Sequence, residues 1–115
     1  MSVTLYHNPR CSKSRQTLEL LQARGIAPEI VEYLKTPPDA ATLGKILDLL
    51  DCEPRELMRK KEAEYAVNKL DDPGLTRDAL IAAMIADPIL IERPIVMAQG
   101  KAALGRPPKS VLAIL

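Results

Sequence analysis

An α/β fold, a four-stranded mixed sheet with helices set into the middle of the chain, follows from three features of the sequence. A strand–helix–strand pattern runs from Val3 to Tyr33. Strand character is then missing over residues 37–90, where turn signals separate amphipathic helical stretches. It returns after Pro94 as a hairpin with one closing helix. The order is therefore βαβ, a helical insertion, then ββα, and consecutive parallel strands joined by a helix take a right-handed crossover.

Each element has its own warrant. Val3 to Tyr6 is a short β-branched and apolar run, and Pro9 stops it because proline has no N–H to give to a ladder. A helical pattern runs from Ser12 to about Arg24, with Gly25 as the residue that ends it. Glu29-Ile30-Val31-Glu32-Tyr33 alternates and reads as a second strand. Thr36-Pro37-Pro38 breaks the pattern, and Asp39 caps a helix with Leu43, Ile46, Leu47 and Leu50 on one face. Pro54 suits the first turn of a shorter helix through Met58 and Arg59, and residues 63–67 suit another. Asp72-Pro73-Gly74 is a turn, and Thr76 caps a helix carrying Leu80, Ile81, Met84 and Ile85, stopped by Asp87-Pro88. Ile95 to Ala98 is the third strand. Gln99-Gly100-Lys101 is a hairpin connection to a weaker strand at residues 102–104, and Arg106-Pro107-Pro108 opens a last helix with Val111, Leu112 and Leu115 on one face. This is a thioredoxin-like sheet in one domain, residues 1–115, with a helical insertion at residues 37–90. In such a sheet a cis-proline commonly opens the third strand, so Pro94 is expected to be cis and to bring Arg93 toward the end of the first strand.

Composition narrows the function. The chain has 115 residues, which suffices for one core. It lacks Trp and Phe, so that core is aliphatic. A formal net charge of +1 gives no electrostatic reason to bind nucleic acid or a membrane surface. No apolar run approaches the roughly 20 residues of a membrane helix, and no basic region followed by an apolar stretch opens the chain. The expectation is a cytoplasmic monomer. Cys11 and Cys52 stand far apart in a compartment that keeps thiols reduced, so no structural disulfide is expected. One His with two Cys, none at ligand spacing, gives no metal site.

The chemistry concentrates at His7-Asn8-Pro9-Arg10-Cys11-Ser12-Lys13-Ser14-Arg15. Cys11 falls where the first strand gives way to the first helix, at the carboxyl end of the sheet where α/β folds place their ligands. Free N–H groups of a first helical turn, the helix dipole, and the charges of Arg10, Lys13 and Arg15 all favour thiolate over thiol. Cys11 is therefore read as a reactive thiol rather than a small core residue. Cys52 lies in Asp51-Cys52-Glu53, an acidic setting that opposes a thiolate and so argues against a resolving role. Arg59, Arg93 and Arg106 stand at the ends of elements, but sequence spacing alone does not bring them together.

Several stretches, taken in order, resemble the glutaredoxin-coupled arsenate reductase family. They are His7-Asn8-Pro9-x-Cys11-x-x-Ser14-Arg15, Tyr33-Leu34-x-Thr36-Pro37-Pro38, Leu57-Met58-Arg59-Lys60, Glu92-Arg93-Pro94-Ile95-Val96, Gly105-Arg106-Pro107-Pro108 and Val111-Leu112-x-Ile114-Leu115. The chain is most similar to the chromosomal arsenate-reductase-like branch, with an Arg-Cys-Ser-Lys-Ser active loop. Arg10 and Lys13 add charge where the resistance enzymes carry small residues.

The resemblance implies that Cys11 is the nucleophile, that Arg59, Arg93 and Arg106 bind arsenate, and that His7 and Ser14 help poise the thiolate. It implies no bound cofactor, with glutathione as co-substrate and glutaredoxin as partner. Paired contacts from planar guanidinium groups suit a tetrahedral oxyanion. A phosphatase-like arsenate reductase needs Cys-x5-Arg, and no arginine stands six positions after Cys11. Thiol-responsive transcription regulators share the fold but use a CxxC switch, and position 14 is Ser. A glutathione-dependent thiol-disulfide reductase acting on another substrate is the remaining alternative.

Overall fold

The computed structural model describes residues 2–115. It is an α/β structure with a thioredoxin-like four-stranded mixed sheet. The strands are β1 (Val3–Tyr6), β2 (Glu29–Val31), β3 (Ile95–Ala98) and β4 (Lys101–Leu104), in the order β2-β1-β3-β4. β1 is parallel to β2 and antiparallel to β3, and β3 is antiparallel to β4. The helices are α1 (Ser12–Ala23), α2 (Ala40–Leu50), α3 (Ala63–Val67) and α4 (Arg77–Ala86). No helix among the described residues is long and apolar enough to cross a membrane.

The backbone falls into two compact units, one of residues 1–36 and 93–115, the other Pro37–Glu92. In the first, α1 and a closing 3-10 helix (Pro108–Ile114) pack with the sheet around Val3, Leu5, Leu21, Val96, Ala98 and Val111. Leu5 and Val96 are register partners at the centre and neither is exposed to solvent. In the second, α2 packs on α4 through buried Leu43, Ile46 and Leu47 of one and Leu80, Ile81 and Met84 of the other. Asp39 and Thr76 cap these helices, accepting from the N–H groups of Thr42 and Ala79.

The differences from the sequence reading have local causes. β2 ends at Val31, two residues early, because Glu32 begins a turn whose carbonyl accepts from Lys35 and Thr36. The stretch after Pro54 is a 3-10 turn (Pro54–Leu57), a second follows at Pro88–Leu90, and the closing helix is 3-10 throughout. Pro107 and Pro108 take the N-cap and first-turn positions, where a helix uses no N–H, and packing of Val111 supplies the stability. Gln99 and Gly100 both hold left-handed backbone, with φ of 54° and 72°, which makes the hairpin a two-residue turn and starts β4 at Lys101. In the second unit, Met58 and Ile91 form an isolated antiparallel bridge that the sequence did not announce.

Arg93–Pro94 is cis as expected, and Arg106–Pro107 is also cis. Buried Gly105 lies where β4 runs back alongside the first of these, its N–H donating to Pro94 O at 2.9 Å. A Cβ there would meet Thr17 Oγ1 on α1 and come to 2.6 Å from Pro94 Cγ. Both obstacles are themselves fixed, one by a helix and one by a ring. Gly105→Ala is therefore expected to lower stability by about 1–3 kcal/mol, the cost of overpacking. A urea unfolding midpoint equal to that of the parent chain would refute this close approach.

Candidate active site

The loop between β1 and α1 is fastened from several sides. His7 N–H continues the β1–β2 pairing to Val31 O at 2.9 Å. Asn8, also buried, accepts the Arg10 N–H on its side-chain oxygen at 3.0 Å, and its carbonyl accepts the Cys11 N–H at 3.0 Å. Arg15 Nη1 reaches back to Pro9 O at 2.9 Å. Proline at 9 breaks the ladder and the Asx turn at 8 reverses the chain, which delivers Cys11 to the N-cap position of α1. No side chain caps that helix end. The sulfur of Cys11 therefore faces N–H groups that the helix itself leaves without partners.

Cys11 is 9% exposed, and burial pushes its thiol up. The Ser14 N–H, the Arg93 side chain, the Lys13 N–H and the charge of Arg93 all pull it down, and the balance lies below the ordinary thiol value. Arg106 Nη2 stands 3.7 Å from Cys11 Sγ. Arg106 Nε also donates to Arg93 O at 2.7 Å, so the second arginine is held by the backbone of the first.

The hairpin explains how residues this far apart in sequence meet. Tyr6 pairs with Ile95 and Ile95 with Leu104, so β1 ends level with the open end of the β3–β4 hairpin. Arg93 lies two residues before that rung and Arg106 two residues after it. Both emerge beside the loop carrying Cys11. Of the expected site residues, the first unit thus brings Cys11, Arg93, Arg106, Ser14 and His7 together.

Ser14 and His7 act on the loop in a way their types alone did not specify. It is the backbone N–H of Ser14 that serves the thiolate, whereas its hydroxyl accepts from Asn8 N–H at 3.0 Å and meets His7 Nδ1 at 2.5 Å. Burial holds the His7 imidazole below its usual pKa; the carboxylate of Glu32 opposes this and the charge of Arg15 adds to it. The ring is therefore neutral at pH 7, and its tautomer decides which group donates to which.

Arg59 belongs to the second unit. Its N–H donates to Leu90 O at 2.7 Å, continuing the Met58–Ile91 bridge, and its Nη2 pairs with Glu62 at 3.5 Å. Its Nη1 is buried with no hydrogen-bond partner among the described residues. Asn8, Arg15 and Gly105 were not singled out as site residues. The Asn-Pro pair ahead of a helix start was the available signal for the first; Arg15 was read from the sequence only as a nearby charge, and its bond to Pro9 O and the close approach at Gly105 come from tertiary contacts.

Cys52 differs in the direction of its pKa shift. It is half-buried, burial raises its pKa, Glu56, Glu53 and Asp51 raise it further, and Arg77 opposes them. Both cysteines are free thiols. No group of His, Cys, Asp or Glu among the described residues could hold a metal ion.

The ArsC family model matches residues 6–114. An uncharacterized protein of Escherichia coli K12, YfgD, is 56% identical over 114 residues, covering 98% of this chain and 96% of its own. An arsenate reductase of Neisseria meningitidis serogroup B is 50% identical over 114 residues, 98% of this chain and 97% of that one. The solved structure of an arsenate reductase from Vibrio cholerae superposes with a TM-score of 0.97 at 52% identity, covering 100% of this chain and 98% of that one.

The depressed Cys11 pKa has a direct readout. Thiolate is the reacting form, so alkylation by iodoacetamide rises with pH through the folded-state pKa. The midpoint is expected below about 8.5, the value of a free thiol. Arg93→Ala removes a hydrogen bond and a positive charge from the thiolate and should move the midpoint upward. A midpoint that ignores the substitution means Arg93 does not poise the sulfur.

Proposed function

The chain is a member of the ArsC family, and from that premise we propose that it reduces arsenate to arsenite with Cys11 as nucleophile and glutathione and glutaredoxin as the electron source. The observation that carries the reading is a thiol with a lowered pKa, set at a helix start with Arg93 and Arg106 beside it. A tetrahedral dianion needs a dense array of donors, and two guanidinium groups supply paired contacts to its oxygens. In the proposal Arg59 is a third oxyanion ligand, as the family resemblance implies.

The chemistry divides into three steps. The Cys11 thiolate attacks arsenic and one oxygen leaves as water, giving a thiol–arsenate adduct at As(V). The arginines offset the negative charge brought together by anion and thiolate. Glutathione thiolate then attacks the Cys11 sulfur. An S–S bond forms, the S–As bond breaks, and its electron pair stays on arsenic, which departs as arsenite at As(III). Glutaredoxin reduces the mixed disulfide left on Cys11 and returns the thiolate. His7 and Ser14 serve by keeping the loop in the shape that points the Ser14 N–H at sulfur. Cys52, with its thiol pushed up, takes no part in this cycle. The reaction belongs in the cytoplasm, where glutathione is held reduced.

Arsenite release from arsenate, measured with glutathione and glutaredoxin present, tests the proposal. Wild type should turn over and Cys11→Ser should not. Arg93→Ala should lose about 10- to 100-fold in kcat/KM, the worth of a charge-assisted contact. Arg93→Lys should recover little, since an ammonium has no two-pronged face. Cys52→Ser should keep most of the activity. If Cys52→Ser is dead and thioredoxin alone suffices, the Cys52 thiol is the reductant, through a Cys11–Cys52 disulfide that thioredoxin reduces, and the proposal falls.

A further inference from the structure

A second recess lies on the other side of the reactive loop. Its volume is about 230 Å³, roughly the liquid volume of eight water molecules. One wall is residues 7–10, the stretch that ends at Cys11. The other is the turn after β2, with Glu32, Leu34 and Lys35. Both walls belong to the same unit. They are tied together at the root by the His7 N–H to Val31 O bond and closed at the far end by the Lys35 and Thr36 N–H groups bonding to Glu32 O.

The lining combines features that the oxyanion site does not use. Arg10 is exposed, and its N–H is taken up by Asn8, which fixes the backbone at the rim. Lys35 is 79% exposed along its side chain and pairs only loosely with Glu32, at 3.7 Å. Such a pair is worth little in water and exchanges readily for a better partner. Leu34 is 40% exposed, an apolar surface at the mouth of the recess beside Pro9. Two cations, one carboxylate and an apolar patch therefore stand within one recess, one wall of which is the stretch that leads directly into Cys11.

Glutathione has the complementary pattern: two carboxylates at its ends, one ammonium, and a thiol on the residue between them. We propose that this recess is the glutathione subsite, with its carboxylates on Arg10 and Lys35, its ammonium at Glu32, and its central residue over Leu34. The inference rests on the reading of glutathione as electron donor and names the residues that receive it. Binding there directs the incoming thiol along the loop toward Cys11 from the side away from Arg93 and Arg106. The oxyanion and the reductant then need not compete for one set of arginines. The charge of Arg10, expected from the sequence to favour the thiolate, is not among the groups that lower the Cys11 pKa in the structure, so Arg10 acts here as a specificity residue.

The test separates the subsite from the reaction by leaving arsenate out. In a Cys52→Ser background, Cys11 is converted to its mixed disulfide with thionitrobenzoate, and the coloured thiolate released by an added thiol is timed. Glutathione should be slowed about three- to tenfold by the double change Arg10→Ala with Lys35→Ala, as expected for two exposed charge contacts. Neutral 2-mercaptoethanol should react equally with both proteins. In parallel, S-methylglutathione, which has no free thiol, is titrated into nitrogen-15-labelled protein. Amide shifts should concentrate at residues 7–10 and 32–35 and weaken by a similar factor in the double variant. Equal slowing with both thiols, no slowing with either, or shifts centred elsewhere overturns the subsite. Absence of arsenite release from the wild-type chain would overturn the proposed function, while the exchange rates still decide the recess.

Discussion

The site depends on one balance: a sulfur withdrawn from water must still be held as an anion. Burial alone would push the Cys11 thiol up, as burial and the carboxylates of Glu56, Glu53 and Asp51 do for Cys52. What reverses the sign is the supply of donors that the surrounding backbone cannot satisfy in any other way. The N–H groups of Lys13 and Ser14 open a helix and have no carbonyl ahead of them. A capping side chain at residue 11 would take those donors for itself. Cysteine, a weak acceptor as a thiol and a strong one as a thiolate, takes them only when ionised.

Holding that geometry accounts for much of the loop. Asn8, buried and bonded both ways, sets the turn, and the Ser14 hydroxyl ties the start of the helix back to Asn8 and His7. Arg15 fastens the exposed side through Pro9. These are polar contacts in a part-buried place, and each satisfies a group that would otherwise be stranded. His7 belongs to the same economy of charge: burial disfavours an imidazolium there despite the Glu32 carboxylate, and the ring serves as a hydrogen-bonding strut.

The arginines reach the sulfur by a different physical route, the register of an antiparallel hairpin. Because Tyr6, Ile95 and Leu104 share a rung, any residue just outside both ends of the hairpin must emerge near the loop that follows β1. Gly105 lets the two arms close, and the Arg106 bond to the Arg93 carbonyl makes their placement mutual. The same topology leaves the opposite wall of the loop, toward the turn after β2, available for a second ligand.

Local sequence determined the elements of this protein because their signals are local: a β-branched apolar run in β1, alternation in β2, helical periodicity with Asp39 and Thr76 as caps, proline and glycine at the breaks. It also singled out Cys11, since the helix start, the flanking cations and the residue type all lie within a few positions. Tertiary structure decided what depends on distant partners. β2 yielded its last residues to a turn, and the closing helix took the 3-10 form around buried Val111. The pairing of Arg93 with Arg106 at the thiolate required a sheet register that no single stretch encodes. Ser14 shows the division within one residue. Its presence beside Cys11 was legible from spacing, but whether hydroxyl or amide faces sulfur depended on His7 and Asn8 arriving from the end of β1 to claim the hydroxyl.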